Sequence, residues 1–311
     1  MKGKTIVTKS APQRQAGSTL VVIIIAIVVV AVLGVGMYTL TSTGQLNQAR
    51  AQNDAKAYYI SESCIRIAAS EYKAASNKNE TLAGLHGRDF TMPNNQGGCS
   101  VYVYPYWFYL PSGVSYSANA SPINAHFPGG VPPVERDGTD AISIYTGVRL
   151  RLYRPSSPST NAVAVVNTAS IGSFSNSVGT VVTFNLSTPF PVALSAGDIF
   201  YLGYSYTSTQ TAPNSGGNLI LDIPSSDTDY LTAKMFPPEK GSIFVEKSGN
   251  VSQYQYDQRI IATNTNPRTV TLTNIRAIPN APAPLFPVEI NNTPIYMAKS
   301  LGFRATSQVG N

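Results

Sequence analysis

A stretch of 20 residues without charge, residues 18–37, most constrains what this chain can fold into. Its sequence is STLVVIIIAIVVVAVLGVGM, and the nearest charged side chains are Arg14 before it and Arg50 after it. About 20 apolar residues are enough for a helix to cross the roughly 30 Å hydrocarbon core of a membrane. Because backbone polar groups in lipid must be paired within their own segment, the stretch predicts a single membrane-spanning helix.

The residues before this stretch carry four positive charges and no acid. They read MKGKTIVTKSAPQRQAG, with charges at Lys2, Lys4, Lys9 and Arg14. Such a flank keeps the N-terminus in the cytoplasm. An ordinary secretory signal has a shorter apolar core with a small-residue cleavage site after it, whereas here the small residue Gly17 precedes the apolar run. Two interpretations remain open: a leader cleaved after Gly17, and a plain signal-anchor without processing.

Beyond the apolar stretch the pattern stays helical but becomes amphipathic. Apolar or small residues recur at spacings of three and four, which is typical of one helix face. They are Leu46, Ala49, Asn53, Ala57, Ile60, Cys64, Ile67 and Ala68. No proline interrupts this pattern. We therefore predict one helix over residues 18–76, with a transmembrane or assembly half at 18–44 and an amphipathic half at 45–76.

The remainder of the chain predicts an antiparallel β body, so that the expected fold class is α+β. Short segments rich in β-forming residues are separated by Ser, Asn, Gly and Pro, as in antiparallel sheets. The predicted strands are 100–104, 141–153, 162–166, 179–186, 198–206, 218–223, 241–246, 259–262 and 269–278. We expect residues 77–140 to be a connecting region and residues 141–311 to form the body, with a frayed tail after Arg304.

The connecting region contains a Pro- and Gly-rich loop, residues 105–134, with many aromatic residues. They are Trp107, Phe108, Tyr109, Tyr116 and Phe127. An exposed aromatic loop would be a contact surface, but aromatic side chains more often fold back into a small core, and we favour that interpretation. His86 has no Cys, Asp or His at ligand spacing nearby, so we expect a surface histidine.

Composition limits the class of protein further. Only 12% of the residues are charged, against about 25% in a typical soluble domain, which suits an extracellular or secreted surface. Without residues 1–17 the chain has 18 basic and 16 acidic residues. Its pI of 9.2 therefore does not indicate nucleic acid as a partner, and no basic cluster is interleaved with aromatics.

The two cysteines, Cys64 and Cys99, are compatible with one disulfide in an exported chain. Cys64 falls on the predicted helix and Cys99 just before the first predicted strand. A bridge between them would tie the helix to the β body. Two buried free thiols are the alternative.

Motifs of common enzyme classes are absent, so we do not expect an enzyme or a cofactor. The sequence has no GxSxG, HExxH, P-loop, GxGxxG or CxxC motif and only two histidines. Asp222, Asp227 and Asp229 lie in DIPSSDTDY and could offer oxygen ligands to Ca²⁺. The segment lacks the Gly and the terminal Glu of an EF-hand loop, so we expect aspartates that cap turns and keep calcium as the alternative.

The order of basic leader, glycine and apolar helix resembles the prepilin signal of the type IV pilin family. The matching residues are Arg14, Gln15, Ala16 and Gly17, followed by Ser18, Thr19, Leu20, Val21 and Val22. The resemblance implies cleavage after Gly17 by a prepilin peptidase, N-methylation of Ser18, and an enlarged pilin-like fold. It also implies other pilin subunits, bound through the N-terminal helix, and an inner-membrane assembly platform as partners.

Two differences from the family indicate which kind of subunit this would be. The first mature residue is usually Phe and the fifth is usually Glu, whereas this chain has Ser18 and Val22. In major pilins that Glu pairs with the N-terminus of a neighbouring subunit. Its absence indicates a minor or tip-proximal subunit of a type IV pilus-like or type II secretion-like filament. Such a subunit is a single-pass inner-membrane protein before assembly, and then part of an extracellular pilus or periplasmic pseudopilus.

Two short elements add to the resemblance. Residues 138–144 (GTDAISI) and 195–200 (SAGDIF) each place an Asp in a Gly-containing turn before a strand, and they are similar to elements of PilW-type minor pilins. Turn chemistry alone can also produce them. The alternatives to a minor pilin are a filament-tip adhesin with loop 105–134 as its contact surface, a major pilin that lacks the usual Glu, and a membrane-anchored exported enzyme.

Overall fold

A computed structural model of the chain describes residues 16–130, 146–157, 162–208, 211–212, 215–247, 250–278, 288–298 and 301–309. These residues belong to two compact units that meet in sequence between Tyr59 and Ile60. We call residues 16–59 the helical unit and residues 60–309 the body. The predicted leader as far as residue 15, and the predicted element at 138–144, lie outside the described residues.

One long helix, α1, confirms the predicted apolar N-terminal helix. It spans Ala16–Ala74, which is two residues shorter at its end than predicted. Asn77 then caps the next helix, because its side chain accepts a hydrogen bond from the Glu80 N–H at 3.4 Å. The other helices are α2 at Lys78–Leu85, a 3₁₀ turn at Pro93–Asn95, and α3 at Leu231–Lys234.

The described residues contain seventeen strands. In the first part of the chain they are β1 Arg88–Thr91, β2 Gly97–Pro105, β3 Phe108–Tyr109, β4 Ile123–Phe127, β5 Arg149–Tyr153, β6 Val163–Ser175, β7 Gly179–Thr188 and β8 Ile199–Tyr206. In the second part they are β9 Thr211–Ala212, β10 Ser215–Asp222, β11 Ser242–Lys247, β12 Asn250–Gln255, β13 Arg259–Ala262, β14 Thr269–Ala277, β15 Val288–Glu289, β16 Thr293–Met297 and β17 Leu301–Val309. Every pairing among them is antiparallel, which confirms the β-rich antiparallel body.

A small sheet contains the last described strand, β17. Its order is β1-β2-β17, and β17 pairs with β2 along its whole length, from Leu301 opposite Pro105 to Val309 opposite Gly97. The expectation of a frayed tail after Arg304 was therefore wrong for the described residues 305–309. Residues 304–309 alternate between exposed and half-buried positions, and that alternation is the pattern of a strand with one face on a core.

The large sheet has twelve strands, and six of them close into a ring. The order of neighbours is β8-β3-β4-β7-β6-β5, and β5 pairs again with β8, from Arg149 opposite Gly203 to Tyr153 opposite Ile199. Closure leaves few unpaired strand edges in this part of the body. β3 and β4, which the sequence places in the connecting region, are thus in one sheet with strands of the predicted body.

The second half of β8 belongs to another group of strands. There β8 pairs with β16, and the order continues β11, β12, β14 and β10. β13 also pairs with β14. The N–H of Asp222, at the end of β10, donates to the Thr207 carbonyl just after β8 at 2.8 Å. β8 is therefore shared between the closed ring and this second group.

Aromatic side chains fill the ring. Phe108 packs against Phe127 and Phe184 with ring centroids 5.5 and 5.0 Å apart, and Phe190 packs against Phe200 at 5.4 Å. All of them are at most 2% exposed. Such contacts add about 0.5–1.5 kcal/mol per pair to the burial of the rings.

The aromatic residues of loop 105–134 are part of two cores. Trp107, Phe108, Tyr109 and Phe127 are at most 1% exposed, and Tyr116 is half-buried. The Trp107 indole N–H donates to Asn79 Oδ1 at 2.9 Å. These rings are therefore core residues, as favoured, and do not form an exposed contact surface.

The end of α1 packs in a second core on the outer side of β8. Ile60, Cys64 and Ala68 are buried, and their spacing of four residues places them on one helix face. They share this core with Ile199 and Tyr201 of β8. Residues of β8 thus alternate between this core and the interior of the ring. Of the long aliphatic side chains on the predicted helix face, Ile60 is buried, whereas Leu46 and Ile67 are 58% and 41% exposed.

Candidate functional site

The candidate functional site is the helical unit, because its apolar side chains are exposed. Large apolar residues between positions 20 and 40 range in exposed fraction from 49% at Val29 to 75% at Tyr38. The most apolar 18-residue window has a mean hydropathy of 3.3, and none of it is buried. Burial of one Val, Leu or Ile side chain contributes about 1.5–3 kcal/mol. This surface therefore favours transfer into lipid or against other helices.

Threonines after the apolar run extend the part of the helix surface that can lie in an apolar environment. Thr39 Oγ1 donates to the Val35 carbonyl at 3.1 Å, and Thr41 Oγ1 donates to the Met37 carbonyl at 2.8 Å. Thr43 Oγ1 donates to the Thr39 carbonyl at 2.7 Å. Hydroxyls bonded to their own helix can enter an apolar environment without an unpaired donor. The segment compatible with such an environment thus continues to residue 43.

This helix is long and apolar enough to cross a membrane, as membrane anchors and signal sequences do. Gly17 and Ser18 lie in its first turn, since α1 begins at Ala16. Their peptide bond is the predicted cleavage site. The cleavage and the N-methylation remain predictions.

A disulfide anchors the last part of α1 to the body. Cys64 of α1 and Cys99 of β2 are joined, with Cα atoms 6.6 Å apart, and are 0% and 5% exposed. The structure therefore has the bridge rather than the alternative of two free thiols. A bridge over 35 residues stabilises by about 3–4 kcal/mol in the chain-entropy model. The bridge is therefore a second covalent link between α1 and β2, besides the backbone that runs from Ala75 to Gln96.

The Asp of the element at residues 195–200 forms a buried ion pair that the sequence did not indicate. Arg154 donates from Nε to Asp198 Oδ1 at 2.8 Å and from Nη2 to Oδ2 at 2.7 Å. The Asp198 side chain is 2% exposed and also accepts from the Ser195 N–H at 2.9 Å. The hydrogen bonds from Arg154 to Asp198 raise the pKa of Arg154. The element fixes the turn before β8 to the end of β5, and nothing in the sequence around Arg154 marks it as the partner.

The three aspartates considered for calcium are not assembled as a ligand set. Asp227 is 1% exposed and accepts from the N–H groups of Leu231 and Thr232 at 2.9 and 2.8 Å, so it caps α3. Asp222 lies in β10 and accepts from Thr207, and Asp229 lies in the turn before α3. Among the described residues no group of three or more His, Cys, Asp or Glu side chains could hold a metal ion.

His86 is half-buried and thus less exposed than a fully solvated surface histidine. His86 is the C-cap residue that follows α2. Its ring packs against Tyr102 and Phe174, with ring centroids 5.7 and 5.6 Å away. Burial lowers its pKa below the usual 6.5, and the contact with the Val103 backbone opposes this in part. Burial likewise lowers the pKa of His126.

These two histidines predict that acid destabilises the body. Because the folded pKa values are lowered, the stabilisation is present above about pH 6.5 and is lost as the pH falls through the folded values. We expect a lower Tm at about pH 5.5 than at about pH 7.5, a window in which ordinary carboxylates stay ionised. A variant with His86→Gln and His126→Gln should show a smaller decrease between the two pH values. An equal decrease in both proteins would contradict this origin.

Comparisons with known proteins gave no relative. No family model, no curated protein and no solved structure matches this chain.

Proposed function

We propose that this chain is a structural subunit of a type IV pilus-like or type II secretion-like filament, as a minor or tip-proximal subunit. The observation that supports it most is the exposed, uncharged helix surface between positions 20 and 40. Before assembly the helix would hold the chain in the inner membrane as a single span. On assembly the same surface would leave the lipid and pack among the helices of sister subunits, which keeps it out of water throughout.

The disulfide fits a subunit that is pulled from a membrane. An inner-membrane assembly platform that moves the helix must also move the body. The Cys64–Cys99 bond joins the buried end of α1 to β2, which is the central strand of its sheet. Force along the helix would therefore reach β2 directly through this bond as well as through the backbone that follows α1.

Processing by a prepilin peptidase predicts that the mature chain begins at Ser18. The motivation is Gly17 between a basic flank and an uncharged helix. Intact mass of protein from filaments or membranes should show the loss of residues 1–17, together with N-methylation of Ser18. Gly17→Ala should be processed more completely than Gly17→Glu, because a bulky charged side chain fits a small-residue site poorly. A chain that keeps residues 1–17 in assembled material would contradict the proposal and favour a plain signal-anchor.

The side chain at position 22 predicts a subunit of low abundance. Val22 stands where major pilins have Glu, so the chain lacks the charge that would recruit it next to a neighbour's N-terminus. Such a subunit is best accommodated at a filament end, where one set of neighbours is missing. We expect no filaments when this chain is expressed with the assembly machinery but without other pilins. Abundant homopolymers under those conditions, seen by electron microscopy, would instead indicate a major subunit.

A further inference from the structure

A polar cleft of about 480 Å³ lies in the body, far in sequence from the helical unit. It forms where four strands begin or end. Ser205 and Thr207 come from the end of β8, Asp222 from the end of β10, Arg268 from just before β14, and Asn292 from just before β16. The volume lies within the range of small-molecule sites.

The polar groups of the cleft suit hydroxyl partners. Asp222 is half-buried, and its Oδ2 accepts from Thr207 Oγ1 at 3.2 Å. Asn266 and Asn292 are exposed amides on the rim, each able to donate and to accept. The buried Ser205 hydroxyl has no hydrogen-bond partner among the described residues. A buried hydroxyl left unpaired is destabilising, and Ser205 is part of the wall of the cleft.

The described residues that line the cleft carry one negative and one positive side chain and thus no net charge. Asp222 is its carboxylate and Arg268 is its guanidinium. The Arg268 guanidinium already has partners in the protein. Its Nη2 donates to the Ser225 carbonyl at 2.6 Å, and the group lies over the Tyr230 ring at 5.2 Å. A phosphate or carboxylate ligand would meet one carboxylate and a cation already bonded to backbone. The cleft therefore favours an uncharged ligand with many hydroxyls.

Apolar surface completes the match to a sugar. Tyr204 lines the cleft and is half-buried, with its ring 5.3 Å from that of Tyr206. Pro224 and Pro267 also line it. A pyranose ring has an apolar C–H face and a rim of hydroxyls, so it uses both kinds of surface at once. We propose that this cleft binds a neutral saccharide, an activity of the body that is separate from assembly through the helix.

The test is binding of defined sugars to the purified full chain in lauryldimethylamine oxide, a detergent without a sugar head group. Glucose, galactose, mannose and N-acetylglucosamine are the neutral probes, and sialic acid and inorganic phosphate are the anionic ones. Saturation-transfer NMR and calorimetry measure the binding. We expect saturable binding of at least one neutral sugar and none of the anions. Failure to bind any neutral sugar, or preference for an anion, would overturn the proposal, and neither result bears on filament assembly.

Two variants locate the site, and one matched variant controls for it. Asp222→Asn removes the charged acceptor, and Asn292→Gly removes an amide while keeping the backbone at φ +50°, which glycine adopts freely. Each should weaken binding about tenfold. Asp89→Asn is the control, because Asp89 also lines a groove and accepts one hydroxyl hydrogen bond, from Ser100 at 2.6 Å. Equal binding by all four proteins would overturn the assignment to this cleft, and Trp107 fluorescence checks that each variant is folded.

Discussion

Replacement of Asp198 by alanine is expected to lower the free energy of unfolding of the body by about 3–5 kcal/mol. The Asp198 side chain is 2% exposed and binds Arg154 through two parallel hydrogen bonds. Its removal leaves the Arg154 side chain, which is only 23% exposed, without its carboxylate partner, and it also frees the Ser195 N–H. Chemical denaturation followed by Trp107 fluorescence measures the effect, because this single Trp is fully buried in the body.

An exposed ion pair provides the matched control. Glu62 accepts from Arg66 one turn along α1, where the two side chains are 38% and 78% exposed. Glu62→Ala should cost no more than about 0.5 kcal/mol, since exposed pairs in helices contribute little. Similar losses for Asp198→Ala and Glu62→Ala would show that the Asp198 pair contributes no more than a surface pair.

The elements with strong local patterns could be predicted from the sequence. Helix α1 was expected because its apolar run is uninterrupted, and each predicted strand overlaps an observed one. Some of the missed strands, such as β3, lack such a pattern. β3 has two residues, Phe108 and Tyr109, inside a Pro- and Gly-rich loop. Its pairing with β8 over a separation of about 90 residues stabilises it, and no local rule reports a partner so distant.

Closure of the ring could not be predicted for the same reason. The pairing of β5 with β8 joins Leu150 to Leu202 across some 50 residues. It encloses one face of β8 in the ring, and the other face lies in the core that contains the end of α1. A strand buried on both faces has an apolar run without alternation. Such a run, IFYL at residues 199–202, was visible in the sequence, but it does not say which strands cover the two faces.

The two candidate sites, the helical unit and the polar cleft, also differ in how far they could be predicted from the sequence. The helical unit follows from a continuous run of residues, so its apolar span at residues 18–37 could be predicted from the sequence. The polar cleft collects Ser205, Asp222, Arg268 and Asn292 from four separate segments. Asp222 had been considered for calcium with Asp227, its neighbour in sequence, but Asp227 turns away to cap α3. Proximity in the sequence was misleading there, because the chain leaves the strand between these two residues.

A single charge in the apolar run should have the largest effect on the proposed function. Val29→Asp places a carboxylate near the centre of residues 18–37, where Val29 is 49% exposed. An Asp at the centre of a membrane helix costs about 2.5–3.5 kcal/mol on insertion scales, and 1.4 kcal/mol corresponds to a tenfold change. We expect the amount of this variant in the membrane, and in sheared filaments from cells that also supply the other pilins, to fall at least about tenfold. Quantitative immunoblots of the two fractions measure it.

Two controls separate this effect from misfolding and from charge alone. Val29→Leu keeps the surface apolar and should behave as the unchanged chain. Gln48→Asp adds the same charge in the polar half of the helical unit, where exposure to water or to polar groups removes most of the cost, and it should assemble nearly normally. Trp107 fluorescence should be unchanged in all three, because the body is a separate compact unit. If Val29→Asp enters membranes and filaments as well as Gln48→Asp does, residues 18–37 do not function in an apolar environment, and neither the membrane anchor nor the helical filament core can be correct.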